Sequence, residues 1–141
     1  MMGPISRHAL WLTILLVLNP VPGFADEEKE TQAKRAALAW LALIDATQYG
    51  ASWQEAASLF KSQVGKPAWI KAVTAARRPL GALVTRELSS ATYATSLPGA
   101  PDGEYVVLQF TTRFENKARA VETVTPMMDG NRWRVAGYYV R

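Results

Sequence analysis

The apolar residues of this chain change period once, around Pro79-Leu80-Gly81, and that switch commits the fold to helices first and strands second. Upstream, Ala33, Ala37, Trp40, Leu41 and Ile44 recur at helical spacing while Glu30, Lys34 and Arg35 fall elsewhere. This predicts a helix over residues 28–48, ended by Gly50. Ser52-Trp53-Gln54-Glu55 has the form of a capping box, so a second helix is expected from Ser52 to about Val64, burying Trp53, Ala56, Ala57 and Phe60. Pro67 suits the first turn of a third helix with Trp69, Ile70, Val73 and Ala76 inward. That helix must stop before Pro79, which has no amide to donate and restricts Arg78.

Downstream the pattern is that of strands. Ala82 to Ala94 is rich in Thr, Val, Leu and Tyr, the Pro- and Gly-rich stretch from Leu97 to Gly103 turns the chain, and Glu104 to Phe114 places Val106, Leu108, Phe110 and Phe114 on one face. A turn over Glu115, Asn116 and Lys117 sets Phe110 opposite Glu122 and Leu108 opposite Val124. With Asp129-Gly130 as a two-residue hairpin loop, Val124 faces Val135, Pro126 faces Trp133, Glu122 faces Gly137 and Ala120 faces Tyr139. The expected fold is α+β: three N-terminal helices packed on a four-stranded antiparallel meander. By analogy it is a cystatin-like or nuclear-transport-factor-2-like roll.

The first 25 residues set the compartment rather than the fold. Arg7 and His8 precede the uncharged run Ala9 to Leu18, then come Pro20, Pro22 and Gly23-Phe24-Ala25, the layout of a secretory signal peptide cut after Ala25. The run is shorter than the roughly 20 residues a membrane-spanning helix needs, so cleavage and a periplasmic or secreted domain without a transmembrane anchor are expected. Residues 26–141, 116 of the 141, suffice for one core. With Arg7 gone, 15 basic residues stand against 12 acidic ones, a formal charge of +3 that is too mild to point to nucleic acid. Asp26, Glu27, Glu28 and Glu30 open the mature chain, whereas Lys61, Lys66, Lys71, Arg77, Arg78 and Arg86 follow one another without an acid between them. That stretch reads as a solvated face or as a dock for anionic lipid or polymer.

Composition also removes chemistries. The chain has no cysteine and its one histidine is His8, so the mature domain lacks ligands for zinc, copper, haem or iron–sulfur clusters and lacks the base of a Ser-His-Asp or Cys-His pair. No Gly-rich phosphate loop occurs, and no metal or cofactor is expected. The acid that stands out is Glu122, which the register puts on the apolar face. A carboxylate there needs a cation or a hydrogen-bond donor, for which Arg86 and Arg78 are the candidates, either as a structural ion pair or as a ligand-binding group. Asp45 and Tyr49, four residues apart, either tie a helix–helix turn or form a proton-transfer pair in a concave mouth. Trp40, Trp53, Trp69 and Trp133 are expected in the core. The opposite sheet face is expected to carry Arg113, Arg119, Arg132, Arg134 and Tyr138, with Tyr105, Val107, Val121 and Val140, a basic surface suited to a partner chain or the anionic envelope.

The order Trp40-Leu41, Asp45, Tyr49, Ser52-Trp53, Arg78-Pro79-Leu80-Gly81, Arg86, Pro101-Asp102-Gly103, Glu122, Asp129-Gly130, Trp133 and Gly137-Tyr138-Tyr139 resembles the bacterial domain of unknown function 4019 family. The resemblance spans the mature chain and implies export, with no established activity. The expected function is an exported, non-catalytic binding or interaction module, with an envelope component, another protein or a second copy as the partner. Two alternatives stand beside it. One is a metal-independent isomerase or hydrolase using Glu122 or Asp45 with Tyr49, and the other is a structural envelope protein.

Overall fold

A computed structural model describes residues 22–141, so the proposed leader lies outside the described residues except for its last four positions. Those four open the first helix, α1 (Pro22–Asp45), which Pro22 can begin because the first helical position needs no amide. One stripe of α1, Ala33, Ala37, Trp40, Leu41 and Ile44, is fully buried, and the helix lies against all four strands. Among the described residues no helix is long and apolar enough to cross a membrane.

The expected second helix is two. α2 (Tyr49–Glu55) and α3 (Ser58–Gln63) are separated by Ala56 and Ala57, both extended. The break has a tertiary cause: the Ala57 amide donates to the Val135 carbonyl at 2.8 Å, and the Asp129 carboxylate accepts from the Ser58 amide at 2.8 Å. Bonds to the sheet thus replace bonds a continuous helix would make. The capping box does not form either. Ser52 sits inside α2, wholly buried, where its hydroxyl donates to the Tyr49 carbonyl and accepts from Trp69 Nε1 at 2.9 Å. α4 (Lys66–Arg77) begins with Pro67 in its first turn and passes into a 3-10 turn, Arg78–Leu80. Gly81 follows with φ of 74°, a value that favours glycine.

Four strands complete an α+β domain: β1 (Leu83–Ala94), β2 (Tyr105–Phe114), β3 (Lys117–Asp129) and β4 (Arg132–Val140), in an open antiparallel sheet of order β1-β2-β3-β4. One face of it packs on α1, an arrangement compatible with a roll. The β2–β3 register is the expected one, with Leu108 opposite Val124 and Phe110 opposite Glu122.

The β3–β4 register corrects the sequence expectation in two ways. The loop is Gly130-Asn131, with Gly130 at φ of 68°, so Asp129 pairs with Arg132 and Pro126 with Val135. Ala136 is then an extra residue, and beyond it Thr125 pairs with Gly137, Val124 with Tyr138 and Glu122 with Val140. The bulge lies beside Pro126, which has no amide to give the ladder. Because side chains alternate with a period of two, one inserted residue exchanges the faces of everything after it. Tyr138 and Val140, expected outside, therefore turn toward the helices, and Tyr139, expected inside, is 61 % exposed.

Candidate functional site

Two sites that the sequence kept apart are one. Asp45 ends α1 and Glu122 lies at the middle of β3, and Arg86 of β1 joins them. Arg86 Nε donates to Glu122 Oε1 at 2.7 Å, Nη1 to Asp45 Oδ2 at 2.7 Å, and Nη2 to Asp45 Oδ1 at 2.9 Å and Glu122 Oε2 at 3.2 Å. Thr112 Oγ1 of β2 donates to Glu122 Oε1 at 2.6 Å, and the Tyr138 hydroxyl of β4 donates to Oε2. Glu122 thus accepts four hydrogen bonds while fully buried. Arg77, the last residue of α4, adds Nη2 to Asp45 Oδ1 at 2.9 Å and stacks 4.6 Å from the centre of the Phe114 ring. The network therefore ties α1, α4 and all four strands.

Its charges balance, with half-buried Asp45 and buried Glu122 set against Arg77 and Arg86, which is what makes withdrawing these ionisable groups from solvent tolerable. Burial works to raise the Asp45 carboxyl, but hydrogen bonds and charge from Arg86 and then Arg77 outweigh it and hold the group below its usual value. Arg86 shows the converse: burial works to lower it, whereas Asp45 and Glu122 together push it up. Burial, followed by the negative charge of Glu122, pushes the Tyr138 phenol well above its ordinary value, so it donates as a neutral hydroxyl. One member is incompletely matched. Arg77 is 5 % exposed, and its Nε and Nη1 have no acceptor among the described residues. Each such donor costs about 1–3 kcal/mol.

Of the expected partners for Glu122, Arg86 is its ion pair and Arg78 is not. Arg78 is exposed in the 3-10 turn, one residue past the α4 C-terminus, and the arginine that turns inward is its neighbour Arg77. Asp45 and Tyr49 do not share a helix, since Ala46, Thr47 and Gln48 separate α1 from α2 and Thr47 adopts φ of 59°. Both residues nevertheless line one cleft of about 280 Å³, together with Arg77, Arg78 and the apolar Ile44 and Ala82. Glu122 does not line it. A second cleft, about 260 Å³ and mostly apolar, lies between α4 and β4 over Trp69, Val73, Tyr138 and Val140.

Trp40 and Trp69 are buried, while Trp53 and Trp133 pack half-buried against the core. The outer sheet face keeps Arg113, Arg119 and Arg132 exposed and Arg134 half-buried, but its aromatic member is Tyr139 in place of Tyr138. In the basic stretch, Arg77 and Arg86 belong to the buried network, which leaves Lys61, Lys66, Lys71 and Arg78 to face solvent wholly or in part. Arg77 and Thr112 were absent from the sequence candidates. Arg77 carried no signal beyond a helical position four residues after Val73, and Thr112 had only its inward place on β2.

The model of a family described as a protein of unknown function (DUF4019) matches residues 36–138, and the chain belongs to that family. No curated protein and no solved structure matches the chain.

Proposed function

We propose that this member of the DUF4019 family is an exported, non-catalytic binding module whose buried ionic network is scaffold and whose clefts and outer face do the recognising. The observation that carries the reading is that Arg86 occupies both candidate carboxylates. A general base needs a free lone pair within reach of a substrate proton. Glu122 has all its bonds made and no exposure, and Asp45 is held in its charged form by two arginines. The proton-transfer reading keeps one supporting observation, the cleft that Asp45 and Tyr49 share.

Export agrees with the packing, because Ala33 is the first buried residue of α1 and removal of residues 1–25 leaves the buried stripe intact. The test is to isolate the protein from the periplasm of its host and measure its mass under denaturing and then native conditions. The expected outcome is a chain beginning at Asp26 that retains a small molecule or a second polypeptide. A full-length chain found only in the cytoplasm would overturn export. A processed chain carrying neither ligand nor partner would overturn the binding role in favour of a structural one.

A further inference from the structure

One stretch of sheet edge is left unpaired. Along β4, Arg141 exchanges both main-chain bonds with Val121, and Tyr139 and Gly137 take the next such places, opposite Thr123 and Thr125. The amides and carbonyls of Tyr138 and Val140 therefore point away from β3. Among the described residues nothing bonds to them. Further along the same edge the Val135 carbonyl is covered by the Ala57 amide. The opposite edge of the sheet, β1, is broken by register shifts at Leu83/Thr85 and Leu88/Ser90 and carries exposed Glu87. Those are common defences of an edge. Gly137 to Val140 has none: it is uncharged, in unbroken register and rich in strand-forming residues, and Tyr139 within it is 61 % exposed. The apolar cleft of about 260 Å³ opens beside it, over Trp69, Ala72, Val73 and Ala76.

We propose that this edge pairs with the same edge of a second copy, antiparallel about a two-fold axis beside Tyr139, so that the two sheets become one. The occupant follows from self-complementarity. With the axis there, Tyr138 of each copy faces Val140 of the other, and every open amide of the pair meets an open carbonyl. An axis beside Tyr138 would instead set Val140 against the bulged Ala136, and Arg141 against Val135, whose carbonyl is already taken. The two Tyr139 rings lie directly opposite each other on the outer face, in a non-hydrogen-bonded pair, where side chains come closest. Charge permits the contact, because Arg141 faces Gly137 and no cation stands opposite a cation across the seam. On the helix side, Tyr138 and Val140 of the second copy extend the apolar floor of the cleft between α4 and β4. The α3 segments docked on Val135 of each copy lie at opposite ends of the seam and do not meet. The proposal rests on the interaction-module reading above and gives that reading its partner.

The test begins with sedimentation equilibrium of the folded protein, which is expected to show a dimer. Tyr139→Glu sets like charges directly opposite each other, and Val140→Pro removes an edge donor while keeping the bonds of β4 to β3. Each should raise the dimer dissociation constant about tenfold or more, with far-ultraviolet circular dichroism unchanged, whereas Val84→Lys on the β1 edge should leave it alone. The chain has no cysteine, so Tyr139→Cys supplies a direct geometric readout. In the proposed register the two Cα atoms lie about 4.5 Å apart, inside the range a disulfide spans, and mild oxidation should join the copies. Val84→Cys should not cross-link. A monomeric parent, a dimer indifferent to both β4 changes, or Tyr139→Cys cross-linking no faster than Val84→Cys would overturn the pairing. If the periplasmic protein is monomeric yet carries a ligand or another polypeptide, the pairing is wrong and the binding module stands. If it is a dimer that Tyr139→Cys locks and it carries nothing else, the pairing stands and recognition by the clefts falls.

Discussion

Glu122 shows how a single buried carboxylate acquires its environment. Its position on the apolar face follows from the β2–β3 register, which needs nothing but alternation and a short turn, and so both its burial and its need for a cation were legible in the sequence. The identity of the donors was not. Arg86 pairs with Thr112 across β1 and β2, and the diagonal from Thr112 to Glu122 brings both donors to one carboxylate. Removing one partner from a buried ion pair strands the other, a loss of about 3–5 kcal/mol. Glu122→Gln should therefore lower the melting temperature by roughly 10–20 °C in a domain of this size, whereas Arg113→Ala on the outer face should leave it nearly unchanged. Thermal unfolding followed by circular dichroism checks both, and equal small effects would deny the network its role.

At the scale of elements, helices and strands lie where periodicity puts them, and the differences sit where one element touches another. α2 and α3 separate because the Ala57 amide has a better-placed acceptor on β4 than any within a helix. Ser52 belongs to the interior of α2 because Trp69, 17 residues away, needs an acceptor for its indole N–H. The Ala136 bulge is the most consequential of these differences, since it turns Tyr138 toward Glu122. Deleting Ala136 removes the extra residue and leaves Val135 opposite Pro126 and Gly137 opposite Thr125, so Tyr138 and Val140 keep their inward places. The expected result is near-ultraviolet circular dichroism like that of the parent and a cooperative melt. A deletion variant that loses the cooperative melt, or in which Tyr138 becomes exposed, would show that Ala136 is not the residue that sets the face.

For the whole molecule, the pH dependence of stability reports the network. The folded Asp45 carboxyl lies below its unfolded value of about 4, so the unfolded chain takes up the proton first as pH falls. Its stabilising contribution is therefore complete above about pH 5 and is lost as pH drops through the folded value. Urea unfolding across pH 3 to 7 should show midpoints falling on the acid side, with a shallower fall in Asp45→Asn, and a parallel slope in that variant would exclude Asp45 as the source. The nearly exposed Glu104 and Asp129 are lowered too, by Lys29 and by the Ser58 amide respectively, and act in the same direction where solvent screens them most.

The order of helices and strands, the apolar faces of α1, β2 and β3 and the burial of one carboxylate were determined by the sequence, because period, turn residues and alternation act between neighbours in the chain. Tertiary structure decided the rest: that Asp45 and Glu122 share Arg86, that Arg77 and not Arg78 turns inward, and that Tyr138 faces the core. Each of these depends on residues 32 to 41 positions apart, or on one inserted residue whose place is set by what the strand packs against, and no local pattern records such distances.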